Sequence, residues 1–175
     1  DDSVILCRSR EEAEQALEEV TKILKELGLI LNEEKTRICH VREGFDFLGF
    51  TFKESYSAKQ NRYVRIKYPR FKSMKAIRQR IKDTVKGVPL GFCLEDVIEK
   101  VNTKLRGWAC YFRIGNSYAA AESLSRYVCE QLRIFWRRRK QDKRIRGSRR
   151  WPNSFFYDKG VYYVPSLLSY SANAA

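Results

Sequence analysis

Tyr63-Val64-Arg65-Ile66-Lys67-Tyr68-Pro69 marks the place where the chain changes its period. Up to Tyr68, polar and basic residues alternate with the others, the two-residue repeat of a half-buried strand. Pro69 ends that pattern. Beyond it Met74, Ile77, Ile81 and Val85 recur at intervals of three and four, the stripe of an amphipathic helix. This junction makes the chain α+β, with a small sheet before it and helices after it.

Toward the N-terminus, Phe45 to Phe52 predicts a strand hairpin around Gly49. With the strand that ends at Tyr68 it forms a small antiparallel sheet. Further back, Ala13, Leu17, Val20, Leu24 and Leu27 mark one face of a helix. Ser9 is placed to cap it, with Glu11, Glu12 and Glu14 near its positive end. Gly28 stops it. Ser3 to Cys7 reads as a short strand, and Leu29 to Leu31 and Thr36 to Val41 as short extended pieces.

Toward the C-terminus, Gly87 and Pro89 close the first helix. Leu94, Val97, Ile98, Val101, Leu105 and Trp108 mark a second, and Leu124, Tyr127, Val128, Leu132 and Phe135 a third, running from about Tyr118 to Gln141. Three amphipathic helices with short connections predict a small bundle. Trp151 to Tyr157 and Val161 to Val164 are aromatic-rich, with Asp158-Lys159-Gly160 between them, and predict a hairpin.

Charge divides the chain more sharply than hydrophobicity does. Residues 1–54 hold 8 basic and 13 acidic side chains, whereas residues 55–175 hold 27 basic and 8 acidic. A split of this size points to a polyanion partner for the second part, with nucleic acid as the reading. Residues 55–93 carry 11 basic side chains against Asp83 alone. Arg62, Arg65 and Lys67 fall on the sheet, and Lys72, Lys75, Arg78, Arg80 and Lys82 on the next helix. Arg137, Arg138, Arg139, Lys140, Lys143, Arg144, Arg146, Arg149 and Arg150 form the densest footprint. Arginine's planar fork suits phosphate and stacks on exposed bases.

Other classes recede. Hydrophobic residues make up 43% of 175, enough for a core. No apolar run approaches the about 20 residues needed to span a bilayer, so no membrane partner is expected. Five cysteines are scattered without a C-x-x-C pair and His40 is the sole histidine, which disfavours a typical zinc site and excludes a histidine-based nuclease within this segment. The irregular cysteine spacing suits reduced thiols and a cytoplasmic location.

Asp1-Asp2, Leu31-Asn32-Glu33-Glu34-Lys35-Thr36 and Phe45-Asp46-Phe47-Leu48-Gly49-Phe50 follow one another in an order that resembles the last part of a reverse transcriptase palm. Leu105-Arg106-Gly107-Trp108-Ala109-Cys110-Tyr111-Phe112-Arg113 is similar to the Gly-Trp-x-x-Tyr-Phe pattern of group II intron maturases. The arginine-rich stretch and Trp151-Pro152-Asn153-Ser154-Phe155-Phe156 resemble that family's maturase region, often called domain X.

The resemblance implies a layout of palm end over 1–70, helical thumb over 71–140 and the start of domain X over 141–175. It implies that Asp1 and Asp2 hold Mg²⁺, a hard ion suited to carboxylate oxygens. Lys35 would lie near the incoming triphosphate, neutralising charge or donating a proton. Phe47, Leu48, Gly49 and Phe50 would form the primer grip. Arg113 would contact RNA, while Trp108, Tyr111 and Phe112 pack the thumb core.

The expected partners are group II intron RNA, an RNA template and a DNA primer. The intact protein would be an RNA-directed DNA polymerase, a nucleotidyltransferase that also assists splicing and mobility. The segment alone is expected to be inactive, because the upstream aspartate motif is missing from it. Two alternatives remain: a group II-like reverse transcriptase serving repair or defence, and a non-catalytic RNA-binding splicing factor.

Overall fold

The computed structural model describes residues 3–32, 34–141 and 147–169. The chain divides into two compact units, residues 1–66 and 67–175.

The first unit opens with α1 (Arg10–Glu26), capped by Ser9, whose hydroxyl oxygen accepts from the Glu12 N–H. Its end is a Schellman closure: the Leu29 N–H donates to the Leu24 carbonyl and the Gly28 N–H to that of Lys25. None of α1 is buried. Three strands follow, β1 (Phe45–Phe47), β2 (Phe50–Ser57) and β3 (Arg62–Pro69), hydrogen-bonded in that order, the last running across the boundary at residue 66. Phe45 pairs with Phe52 and Phe47 with Phe50, antiparallel. This register puts four phenylalanines on one face, where the Phe45 and Phe52 rings stack at 5.4 Å. Asp46 and Thr51 lie on the other face, joined by a 2.6 Å hydrogen bond.

Ser3 to Cys7, Leu29 to Leu31 and Thr36 to Val41 were all expected to be extended, the first as a strand. None is assigned to a strand. Val4, Ile5 and Leu6 are exposed, and among the described residues the one sheet is β1-β2-β3, without this stretch.

The second unit is a bundle of α2 (Phe71–Gly87), α3 (Leu94–Phe112) and α4 (Tyr118–Arg139). α2 packs on both α3 and α4. The expected apolar stripes are buried, from Met74, Ile77, Ile81 and Val85 on α2 to Leu124, Val128, Leu132 and Phe135 on α4, where Tyr127 alone of the expected set is half-buried. α3 begins with a capping box in which Cys93 stands where serine or threonine is usual: its sulfur accepts from the Asp96 N–H, and the Asp96 carboxylate accepts from the Cys93 N–H.

After α5 (Gly147–Arg150), the expected hairpin is instead α6 (Asn153–Asp158), a turn, and a 3-10 helix at Val164–Leu168. The reason lies in Gly160. Its φ of +95° suits a hairpin turn or a helix stop equally. Here the Val161 N–H donates to the Phe156 carbonyl and the Gly160 N–H to that of Tyr157, so it stops a helix. Pro152 starts that helix from extended backbone, and Phe156 becomes fully buried beside α4. The 3-10 helix packs on α3 and α4.

Candidate nucleic-acid interface

In the first unit the β1–β2 turn is two residues long, Leu48 and Gly49, at φ +46° and +79°. Two successive positive φ values match the twist of a hairpin, and for leucine this backbone is strained. Leu48 is exposed at the tip, Phe47 is half-buried and Phe50 is buried. The four residues expected at the primer grip thus form one tight hairpin end.

Lys35 sits in a turn held by Asn32: the Lys35 N–H lies 3.1 Å from both the Asn32 carbonyl and its side-chain oxygen, and the Thr36 N–H also reaches that carbonyl. The Lys35 side chain is exposed. Asp1 and Asp2 lie outside the described residues. Among the described residues, no group of three or more His, Cys, Asp or Glu could hold a metal ion. Arg62 and Arg65 are exposed on β3.

The second unit sorts its cations into exposed and engaged ones. Lys67 is half-buried; its N–H donates to Asn116 Oδ1, and its carbonyl accepts the Asn116 N–H. On α2, Lys72, Lys75 and Lys86 are exposed and Lys82 half-exposed, at spacings that keep them on one flank. Arg78 differs. Its guanidinium donates to Ser123 Oγ at 2.8 Å and lies over the Tyr127 ring, bracing α2 against α4.

The arginine-rich end of α4 is mixed in the same way. Arg133 is only 6% exposed. It donates to the Trp151 carbonyl at 2.9 Å, to Asn153 Oδ1 at 2.7 Å and to Glu130, with its guanidinium over the Phe156 ring. This arginine ties α4 to the segment that follows α5. Arg139 donates to the Phe92 carbonyl, and both Arg139 and Lys140 lie over the Trp136 ring. Arg138 is exposed and Arg137 half-buried. Arg149 and Arg150 are exposed, the latter over Trp151 at 5.0 Å. Lys143, Arg144 and Arg146 lie outside the described residues.

Arg113 is exposed at the end of α3. Of the aromatic residues beside it, Trp108 and Phe112 are buried, but Tyr111 is 52% exposed. The expectation of core packing therefore describes two of the three rings.

Sequence reading missed the separate role of Arg133. The signal was present: Ser125, Cys129 and Arg133 are spaced by four and all three are buried, so the arginine continues an inward stripe. It also missed the clamp made by Asn102, which donates to the Gly160 carbonyl at 2.8 Å and accepts from the Tyr162 N–H at 3.1 Å. Beside that region burial pushes the Tyr157 hydroxyl far up, with the Cys129 thiol adding to the shift. Both groups stay protonated and act as packing.

The family model described as reverse transcriptase (RNA-dependent DNA polymerase) matches residues 1–52, which take in α1, β1 and the start of β2. The model described as group II intron, maturase-specific domain matches residues 74–152, from within α2 to Pro152. No curated protein matches the chain. The two matches follow one another along the chain, and the second contains both the bundle and its arginine-rich end. The chain belongs to the group II intron reverse transcriptase/maturase family, proteins involved in intron splicing.

Proposed function

We propose that residues 55–150 bind structured group II intron RNA, or an RNA–DNA duplex, mainly through phosphate contacts. One observation carries this reading. The region holds a large excess of cations, and Lys72, Lys75, Arg113, Arg138, Arg149 and Arg150 present theirs at the surface. Cations on a folded scaffold fix a nucleic acid's position, and the charge itself supplies affinity.

In the intact polymerase Asp1 and Asp2 would offer hard oxygen ligands to Mg²⁺, which stabilises the attacking and leaving oxygens of nucleotidyl transfer when bound. Lys35, exposed on its turn, would face the triphosphate, and the Leu48-Gly49 hairpin would bear on the primer. Palm end, thumb and domain X would meet near residues 70 and 140. The segment by itself would not incorporate nucleotides, and the protein would act in the cytoplasm.

The test is binding to a group II intron RNA across a salt series, with excess unrelated structured RNA as competitor. Retained binding under competition is the expected result and means that intron shape is read. Binding that competes away equally would mean a general nucleic-acid clamp, the reading suited to repair or defence.

A further inference from the structure

Gly107 stands in the interior of α3, where glycine is second only to proline in opposing a helix. A helix commonly keeps a glycine where a neighbouring element packs too closely for a β-carbon. That reason is missing here: Gly107 is exposed, and a β-carbon on it would meet nothing within 4 Å. Nor does it end the helix, as Gly87 does for α2. Within the described residues, the fold gains nothing from this glycine.

Its neighbours on the helix surface point outward too. Thr103, Lys104, Cys110 and Tyr111, three and four residues away, are all exposed, as is Lys100 one turn further back, whose ammonium lies 4.9 Å from the Phe92 ring centre. From Lys100 to its end the helix carries three cations and no carboxylate. Of these, Arg106 donates to the Tyr162 hydroxyl at 2.7 Å, which leaves Lys100 and Lys104 as the cations of this face. Tyr111 is half exposed and meets the Phe112 ring edge-on at 4.8 Å, whereas Trp108 and Phe112 are buried.

We propose that this face of α3 docks directly on the ribose-phosphate backbone of an RNA strand. Gly107 leaves the space in which helix and strand approach each other. Lys100 and Lys104 meet phosphates on one side, and Tyr111 packs on a ribose on the other. The inference rests on the RNA-binding reading and deepens it, by locating a contact that depends on shape at the centre and charge at the edge. An uncharged binding partner would not account for the lysines, and a loose electrostatic one would not account for the glycine.

The experiment compares Gly107→Ala and Gly107→Gln with the parent chain, measuring thermal stability and affinity for labelled group II intron RNA. Both variants should melt higher, alanine by about 2–4 °C, because a better helix former replaces glycine. Both should nevertheless bind RNA more weakly, alanine by about tenfold and glutamine by more. Their salt dependence should match the parent's, since no charge is lost, whereas Lys104→Ala should make it shallower.

RNA affinity unchanged in Gly107→Ala overturns this inference and leaves the RNA-binding reading standing. A lower melting temperature also overturns it, by showing that the fold itself needs the glycine. Failure of the parent chain to hold the RNA at about 0.15 M salt defeats the RNA-binding reading, and this inference with it.

Discussion

The two units of this protein differ in what they bury. Among the described residues, every buried hydrophobic one except Phe50 belongs to residues 67–175. In residues 1–66, α1 has an apolar stripe but no buried residue, and Ile23, Leu27, Leu29 and Ile30 are more than half exposed. The charge runs the other way, acidic in the first part and strongly basic in the second. A helix held by its caps and intrinsic propensity is marginal, because most helix stability in proteins comes from packing of the apolar face. The bundle has that packing. The first unit rests on a small phenylalanine face and local capping.

Truncation in the two helices breaks this comparison most directly. Leu105→Ala, in the centre of α3 and fully buried, should cost about 3 kcal/mol in chemical denaturation. Leu24→Ala on α1 should cost about 1 kcal/mol or less, because that side chain is already partly in water. Equal losses would mean that α1 is packed as tightly as the bundle.

A second pair sharpens the view of the basic unit. Arg133→Ala should lower stability by about 2 kcal/mol, since it leaves the Trp151 carbonyl unpaired in a buried place. It should leave the salt dependence of RNA binding nearly unchanged. Arg138→Ala should do the reverse: stability within about 0.5 kcal/mol, and a log–log salt slope shallower by about 0.7–0.9. Matching behaviour in the two variants would erase the distinction between engaged and exposed arginines.

The smallest effect is expected at the hairpin tip. Leu48→Asn replaces a residue disfavoured at positive φ by one that accepts it, and should stabilise the first unit by about 1 kcal/mol. A local probe on β1 and β2, such as amide exchange of Phe47 and Phe50, would report it. Destabilisation there would show that the leucine side chain is held by contacts that outweigh its backbone strain.

Much of this was legible along the chain. The three helix stripes, the Ser9 cap and the hairpin around Gly49 are local patterns, set by spacing of three and four, by a hydroxyl before a helix, and by glycine where φ is positive. The motifs around Lys35, Phe45–Phe50 and Gly107–Phe112 also placed the chain in its family. Other questions had two local answers and needed the third dimension. Asp158-Lys159-Gly160 suits a hairpin turn or a helix end, and burial of Phe156 against α4 selected the helix. Ten basic residues between Arg133 and Arg150 look alike in sequence, but partners brought from about 20 positions away turn Arg133 into a structural tie. Sequence by itself determined the four long helices, the β1–β2 hairpin, the charge division and the family, because these depend on residues close together in the chain. Tertiary structure alone decided which cations remain at the surface and that a mid-helix glycine, Gly107, has empty space above it. Those properties depend on what distant segments place beside a side chain.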